Sequence, residues 1–468
     1  MDDPNEPPVA PKPDSPGFGQ ATATFVVVSS MIGTGVLTTS GFTVYYVGSN
    51  QLMLMLWVIG GVAAICGALS LAELSAMMPR TGGDYVFLTE AYGPLAGFLS
   101  GWVSFLIGFG GPIALSARAA AKYVIAPMGL TSSAELVESL LATAAILAFA
   151  AVHASGRSRT IRVQGGMTVV KLAILGALAV AGIAAGWGHW ANLDDRPPMT
   201  RGVLVAMASS FVYISYAYTG WNGASYLAGE VERPQERLPR AILLGTGLVT
   251  ALYLALNLAY ALALPVEEVR GIVRASAVAR GIKEEDAVDA VAPIAQIAAT
   301  HLIGPSVAGP LSVAIGLTLL ASVSAYVLTG PRVAFAMARA GQFPSIAGRL
   351  SPRWGTPAIA TGLQVAWALV LLWAAPLERI LTYAGVGLAI FSMFTVSAVY
   401  VLRWRRPDLP RPFRTPGYPV VPAIYLVMTG VLVWAVIRER PEVSAYSVGS
   451  ILAGVPVYYL WRGWAAKA

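Results

Sequence analysis

Apolar stretches of about twenty residues or more, separated by short polar connections, run along almost the whole chain. They lie near 20–46, 52–78, 97–121, 135–153, 166–186 and 201–229, and again near 240–264, 308–338, 357–375, 380–403, 420–437 and 444–462. A helix of that length covers the roughly 30 Å hydrocarbon core of a bilayer. The pattern therefore predicts an all-α polytopic membrane protein with about twelve transmembrane helices.

Two of these stretches are interrupted. The first contains Ile32-Gly33-Thr34-Gly35-Val36, and the sixth runs Phe211 to Asn222 with Thr219-Gly220 in mid-stretch among Tyr213, Ser215, Tyr216 and Tyr218. A break inside a membrane helix frees backbone N–H and C=O groups that lipid cannot satisfy, so such a segment must face protein or a water-filled cavity. Paired breaks five helices apart point to an inverted-repeat transporter with a solute site near the midplane. The alternative is that the glycines serve close helix packing.

Composition agrees with the pattern: 56% of the residues are hydrophobic, 12% are charged, and the mean hydropathy is +0.66. With the amino terminus placed in the cytoplasm, about 18 basic residues fall inside and about 10 outside, four of the latter in one long loop at 265–307. That bias predicts cytoplasmic termini and accounts for the net charge of +7 without nucleic-acid binding. The first nineteen residues, rich in proline and acids and without a basic start, read as a disordered cytoplasmic tail and not as a signal peptide. A single cysteine, Cys66, excludes an internal disulfide. His153, His189 and His301 are scattered over loops and helix ends, so neither a metal site nor a cofactor is expected. No nucleophile, base and orienting group cluster by motif, so the chain does not read as an enzyme.

Four ordered motifs carry a family resemblance over nearly all of the chain after residue 20. They are Ile32-Gly33-Thr34-Gly35-Val36; Ala72-Glu73-Leu74 with Pro79-Arg80-Thr81-Gly82-Gly83-Asp84-Tyr85 and Glu90-Ala91-Tyr92-Gly93; Gly220-Trp221-Asn222 with Gly229-Glu230-Val231 and Arg237-Leu238-Pro239-Arg240-Ala241-Ile242; and Pro407-Asp408-Leu409-Pro410-Arg411-Pro412-Phe413-Arg414. The chain resembles the amino acid/polyamine/organocation superfamily and, within it, the L-type amino acid transporters and their bacterial relatives.

The resemblance implies a leucine-transporter type of fold, with residues 20–186 and 201–403 as two five-helix inverted repeats, broken helices 1 and 6, and 420–462 as two peripheral helices. It implies sodium-independent transport of small to medium neutral L-amino acids, by exchange or by proton-coupled symport. The substrate site would comprise Ile32, Gly33, Thr34, Gly35, Val36, Tyr216, Ala217, Tyr218, Thr219 and Asn222. In that arrangement the N–H groups of Thr34, Gly35 and Val36, at a positive half-helix end, meet the substrate carboxylate. Carbonyls around Met31, Ile32 and Tyr216–Tyr218 would take the ammonium. Tyr216 falls where relatives often place an aromatic gate, and Thr219 adds bulk that favours smaller substrates.

Lys171 lies well inside the fifth stretch. It can snorkel to the interface, or, as in sodium-independent relatives, stand in for a structural sodium ion, reaching carbonyls near Gly33 and the Ser324 hydroxyl. Such a lysine either exchanges a proton or stays charged and holds the bundle together. Ser324 can equally bond its own helix backbone. Glu73, Asp84, Glu90 and Glu230, near Arg80, Arg233, Arg237 and Arg240, form either a cytoplasmic gate, as the family suggests, or a solvated charged border. Arg118 is a departure from the family pattern and is expected to snorkel or line the outer vestibule.

Some relatives join a single-pass partner through a cysteine between helices 3 and 4. Residues 129–138 contain none, so no disulfide-linked heavy chain is expected, which suits a bacterial inner membrane. Two rivals remain. A polyamine or organic-cation exchanger would need acids within its site, and mid-helix acids are absent from helices 1, 3, 6, 8 and 10. A non-transporting amino acid sensor would need an output surface, which neither the tail nor Arg462–Ala468 offers.

Overall fold

The computed structural model describes residues 17–128, 134–195, 197–374, 377–439 and 441–465. The first sixteen residues of the expected tail and the connection at 129–133 lie outside the described residues. Among the described residues the chain is helical, with one isolated parallel bridge between Phe18 and Val231.

The first stretch divides at its predicted break into α1 (Gln20–Met31) and α2 (Gly35–Val47). After α3 (Asn50–Met77) comes a short α4 (Asp84–Tyr92), entered through Gly82 and Gly83, whose φ values of 129° and 55° side-chain-bearing residues rarely adopt. The third stretch is one continuous rod made of α5 (Pro94–Val103), a π-helical turn over Ser104–Phe109, and α6 (Gly110–Ile125). Then follow α7 (Ala134–Ala154), α8 (Arg157–Gly186) and α9 (Arg201–Ala217). The sixth stretch stops at Ala217 and resumes, after a turn, as a 3-10 segment over Gly223–Glu230.

The second half begins with α10 (Pro234–Ala263). The segment expected to be one long loop is largely helical, forming α11 (Val266–Arg280) and α12 (Ile294–Ile303). The reason is readable afterwards: Pro265 opens α11, Glu267 and Glu268 occupy its first turn, and Val269, Val273 and Ala277 bury one face at four-residue spacing. The chain continues through α13 (Ala308–Thr329), α14 (Pro331–Arg339), α15 (Ala358–Ala374), α16 (Leu377–Arg405), α17 (Val420–Glu439) and α18 (Pro441–Ala465).

Among the described residues nine helical segments are long and apolar enough to cross a membrane, while α9, α12 and α15 are apolar but shorter. The protein is a polytopic membrane protein. At its centre α10 packs against α1, α3 and α8, and α13 packs against α6 and α8. Trp57 of α3, Tyr253 of α10 and Tyr218, just beyond α9, cluster with their rings 5.1–5.5 Å apart at steep angles.

Candidate functional site

The two breaks press against each other. A Cβ on Gly35 would lie 2.5 Å from the Ala217 Cβ, and one on Gly220 would lie 2.5 Å from the Ser30 carbonyl oxygen, with Gly220 also at φ 102°. Only residues without a side chain allow this approach, which is why glycine stands at both positions.

The ends of a broken helix leave backbone groups to be satisfied, and the two sides of the first break are treated differently. On the α1 side, carbonyls are taken up by the protein. Ser30 O accepts from Tyr326 OH (2.7 Å), Met31 O from Tyr253 OH (2.8 Å), and Ile32 O from both Lys171 Nζ and Ser322 Oγ (2.6 Å each). Ser29 O receives a longer bond from Lys171 Nζ at 3.4 Å. On the α2 side, no backbone acceptor among the described residues meets the N–H groups of Thr34, Gly35 or Val36. Gly33, Thr34 and Gly35 line a cavity of about 100 Å³.

Around that cavity the second break contributes Tyr216, Ala217, Thr219 and Asn222, joined by Ser104 and Phe109 of the π-turn, Ser116 and Tyr326. Of the expected substrate residues, seven thus line one cavity. Ile32, Val36 and Tyr218 do not: the first two are fully buried in the core, and Tyr218 donates to Trp57 O at 3.0 Å. The carbonyls expected to take the substrate ammonium are largely engaged, since Ala217 O accepts from Tyr253 OH (3.1 Å) and Tyr216 O from the Thr219 hydroxyl (2.7 Å).

Lys171 is fully buried and does not snorkel. Its ammonium has three donors and meets three oxygens, those of Ser29, Ile32 and Ser322, the last at 2.7 Å. The expected partner Ser324 is a correction. Its hydroxyl donates to Gln164 Oε1 (2.7 Å) and lies 3.0 Å from His153 Nε2, so it belongs to a separate buried network. Two residues along α13 turn a side chain by about 200° on a 3.6-residue helix, so only one of the two serines can face Lys171. His153 itself is buried, with Thr160 on its other ring nitrogen at 3.2 Å.

Of the proposed gate acids, Glu73 and Glu230 take cations other than those near them in sequence. Glu73 holds a two-pronged bond to Arg403 (2.9 and 2.7 Å) and accepts from Thr415 N (2.7 Å), tying α3 to α16 and the segment beyond it. Glu230 meets Arg332 at 2.9 Å and Arg157 at 3.4 Å. Burial raises the Glu230 carboxyl, but the two guanidinium groups outweigh it and hold the group below the usual carboxylate range. Glu90 does meet the nearby Arg80, and Arg406 as well, while Arg237 meets Glu232. Arg118 pairs with Glu135 at 2.6 Å and does not line the cavity.

Asp84 pairs with no cation among the described residues and instead lines the cavity. Its Oδ2 accepts from Asn222 Nδ2 (2.7 Å) and Tyr226 OH (2.8 Å), and its Oδ1 from Thr395 Oγ1 (3.2 Å). Burial raises this carboxyl, and the hydroxyl and amide donors offset part of that rise. An acid can thus reach the cavity from a connecting segment, which removes the premise that the lack of mid-helix acids leaves the site free of them.

The comparison with known proteins decides the family. The model of the amino acid permease family matches residues 18–460. The chain belongs to that family. It is 30% identical over 457 residues to the mouse large neutral amino acids transporter small subunit 2, covering 96% of this chain and 82% of the relative. The mouse Asc-type amino acid transporter 1 shares 30% over 459 residues, with 96% and 82% covered. The serine/threonine exchanger SteT of Bacillus subtilis shares 30% over 447 residues, with 94% and 96% covered. Sequence reasoning about this permease missed Ser322, Tyr253, Tyr326, Arg332 and Arg403, because each acts on a segment far away in the chain and none stands in a local motif.

Proposed function

We propose that this permease is a secondary transporter that exchanges small to medium neutral L-amino acids across a bacterial inner membrane by alternating access, without sodium. The observation that carries this reading is the row of N–H groups at Thr34, Gly35 and Val36 that meet no backbone acceptor among the described residues, two of whose residues line the cavity where the second break also opens. A helix N-terminus of this kind suits a carboxylate. A few charge-assisted hydrogen bonds of about 1.5–3 kcal/mol each reach the roughly 4–8 kcal/mol of millimolar to micromolar binding, loose enough for release.

The reading includes twelve spans in two inverted five-helix repeats, 20–186 and 201–403, with two peripheral helices and both termini in the cytoplasm. It also includes function without a disulfide-linked partner. Exchange is favoured over proton symport by the Lys171 ammonium, whose three donors all have oxygen acceptors, as a permanent tie between α1, α8 and α13 would. The test is uptake of labelled alanine into proteoliposomes, with and without internal unlabelled amino acid and with and without an inward proton gradient. Stimulation by internal amino acid alone is expected. Stimulation by the gradient would replace exchange with symport, and uptake of no amino acid under any condition would end the transporter reading.

A further inference from the structure

Among the described residues lining the cavity, Asp84 is the one acidic residue, and no basic residue joins it. It stands at the first position of α4, where a helix N-terminus favours an anion, and its donors are three neutral groups from two other segments: Asn222 and Tyr226 beyond the second break, and Thr395 on α16.

These bonds fix the Asn222 amide. Its Nδ2 donates to Asp84 Oδ2 and lies 3.1 Å from Tyr226 OH, which itself donates to the same Oδ2. Only the NH₂ end of an amide can donate to a carboxylate, so the Oδ1 end is turned away from Asp84. No donor among the described residues meets Asn222 Oδ1, and it is not enclosed in the protein as an unpartnered buried atom. Asp84 Oδ1, with the single long bond from Thr395, keeps acceptor capacity as well. Two acceptor oxygens therefore belong to residues lining one cavity: Asn222 Oδ1 meets no donor among the described residues, and Asp84 Oδ1 has only the 3.2 Å bond from Thr395.

We propose that Asp84 and the Asn222 amide it orients form a side-chain subsite for hydrogen-bond donors, so that this permease prefers amino acids bearing a side-chain hydroxyl or amide N–H over apolar amino acids of the same shape. The inference rests on the reading that the cavity takes an α-amino acid at the first break. A site that offers a buried acceptor penalises an apolar isostere, because the acceptor loses water and gains no donor.

The experiment compares threonine with valine, and serine with 2-aminobutyrate, as external substrates for exchange in proteoliposomes preloaded with unlabelled alanine. Within each pair one hydroxyl replaces one methyl. Half-saturating concentrations at least about tenfold lower for the hydroxyl member are expected in the unmodified protein. In Asp84→Asn, where a donating NH₂ takes the place of the accepting Oδ1 while the remaining oxygen can still accept from Asn222 and Tyr226, that ratio should fall. Should Asp84→Asn fail to fold, Thr395→Val frees Asp84 Oδ1, and a threonine-to-valine preference above that of the unmodified protein is expected. Equal affinity within each pair in the unmodified protein overturns the subsite while leaving amino acid exchange standing. So does an unchanged ratio in Asp84→Asn or, where that variant does not fold, in Thr395→Val. Exchange of no amino acid at all overturns the transporter reading and the subsite with it.

Discussion

Replacing Lys171 by methionine keeps the length of the side chain and removes its ammonium. Ser29 O then has no donor among the described residues, Ile32 O keeps only Ser322, and the hydroxyl of Ser322 loses one partner. The two short bonds of this ammonium are charge-assisted, worth about 1.5–3 kcal/mol each, and an unsatisfied buried carbonyl costs about 1–3 kcal/mol. Against this, a buried charge no longer has to be desolvated. The net loss is on the order of 2–5 kcal/mol, concentrated at the end of α1 that positions the first break. At about 1.4 kcal/mol per factor of ten, exchange should fall by roughly 30-fold or more. Initial exchange rates in proteoliposomes read the functional effect, and the thermal midpoint in detergent, expected a few degrees lower, reads the structural one. Exchange at the unmodified rate in a folded Lys171→Met protein would refute the claim that the ammonium holds the break in place.

Gly220→Ala places a methyl 2.5 Å from the Ser30 carbonyl oxygen at a φ of 102°, so loss of exchange with a lowered thermal midpoint is expected, whereas Gly247→Ala, with nothing within 4 Å, should be tolerated. Thr219→Gly enlarges the cavity by the equivalent of one or two methylenes, and at roughly 0.8 kcal/mol each the leucine-to-alanine preference should rise several-fold; an unchanged preference would sink the role of Thr219 bulk. Glu230→Gln leaves Arg332 buried without its counter-charge, a loss of about 3–5 kcal/mol that a thermal midpoint at neutral pH should show. The folded-state Glu230 carboxyl lies below its unfolded value, so its contribution is present above pH of about 4.3 and is lost as pH falls through the lower folded value. The midpoint of the unmodified protein should therefore fall over that acid range more steeply than that of Glu230→Gln.

Much of the candidate site was legible in the chain before folding. A Gly-Thr-Gly within an apolar run and a Thr-Gly within an aromatic one are local departures from a strong periodic signal, and each implies unpaired backbone wherever it occurs. The acids were legible as acids but not in their partnerships. Asp84 stands four residues from Arg80 in sequence yet faces Asn222, Tyr226 and Thr395, and Glu73 finds Arg403 at the far end of α16. Nothing local encodes such a pairing.

By itself the sequence determined the medium and the broad form: a bilayer protein, helical because lipid offers the backbone no other partner, broken at two glycine-containing points, and akin to amino acid permeases. The tertiary structure alone decided which serine of α13 meets Lys171, which cation each acid takes, and that an acid from α4 reaches the cavity. Hydrophobic periodicity acts within a helix turn or two and is written in neighbouring residues. The direction of a polar side chain across 73 to 330 residues, as from Arg157 to Glu230 or from Glu73 to Arg403, depends on helix rotation and packing, and these are settled only when the helices meet.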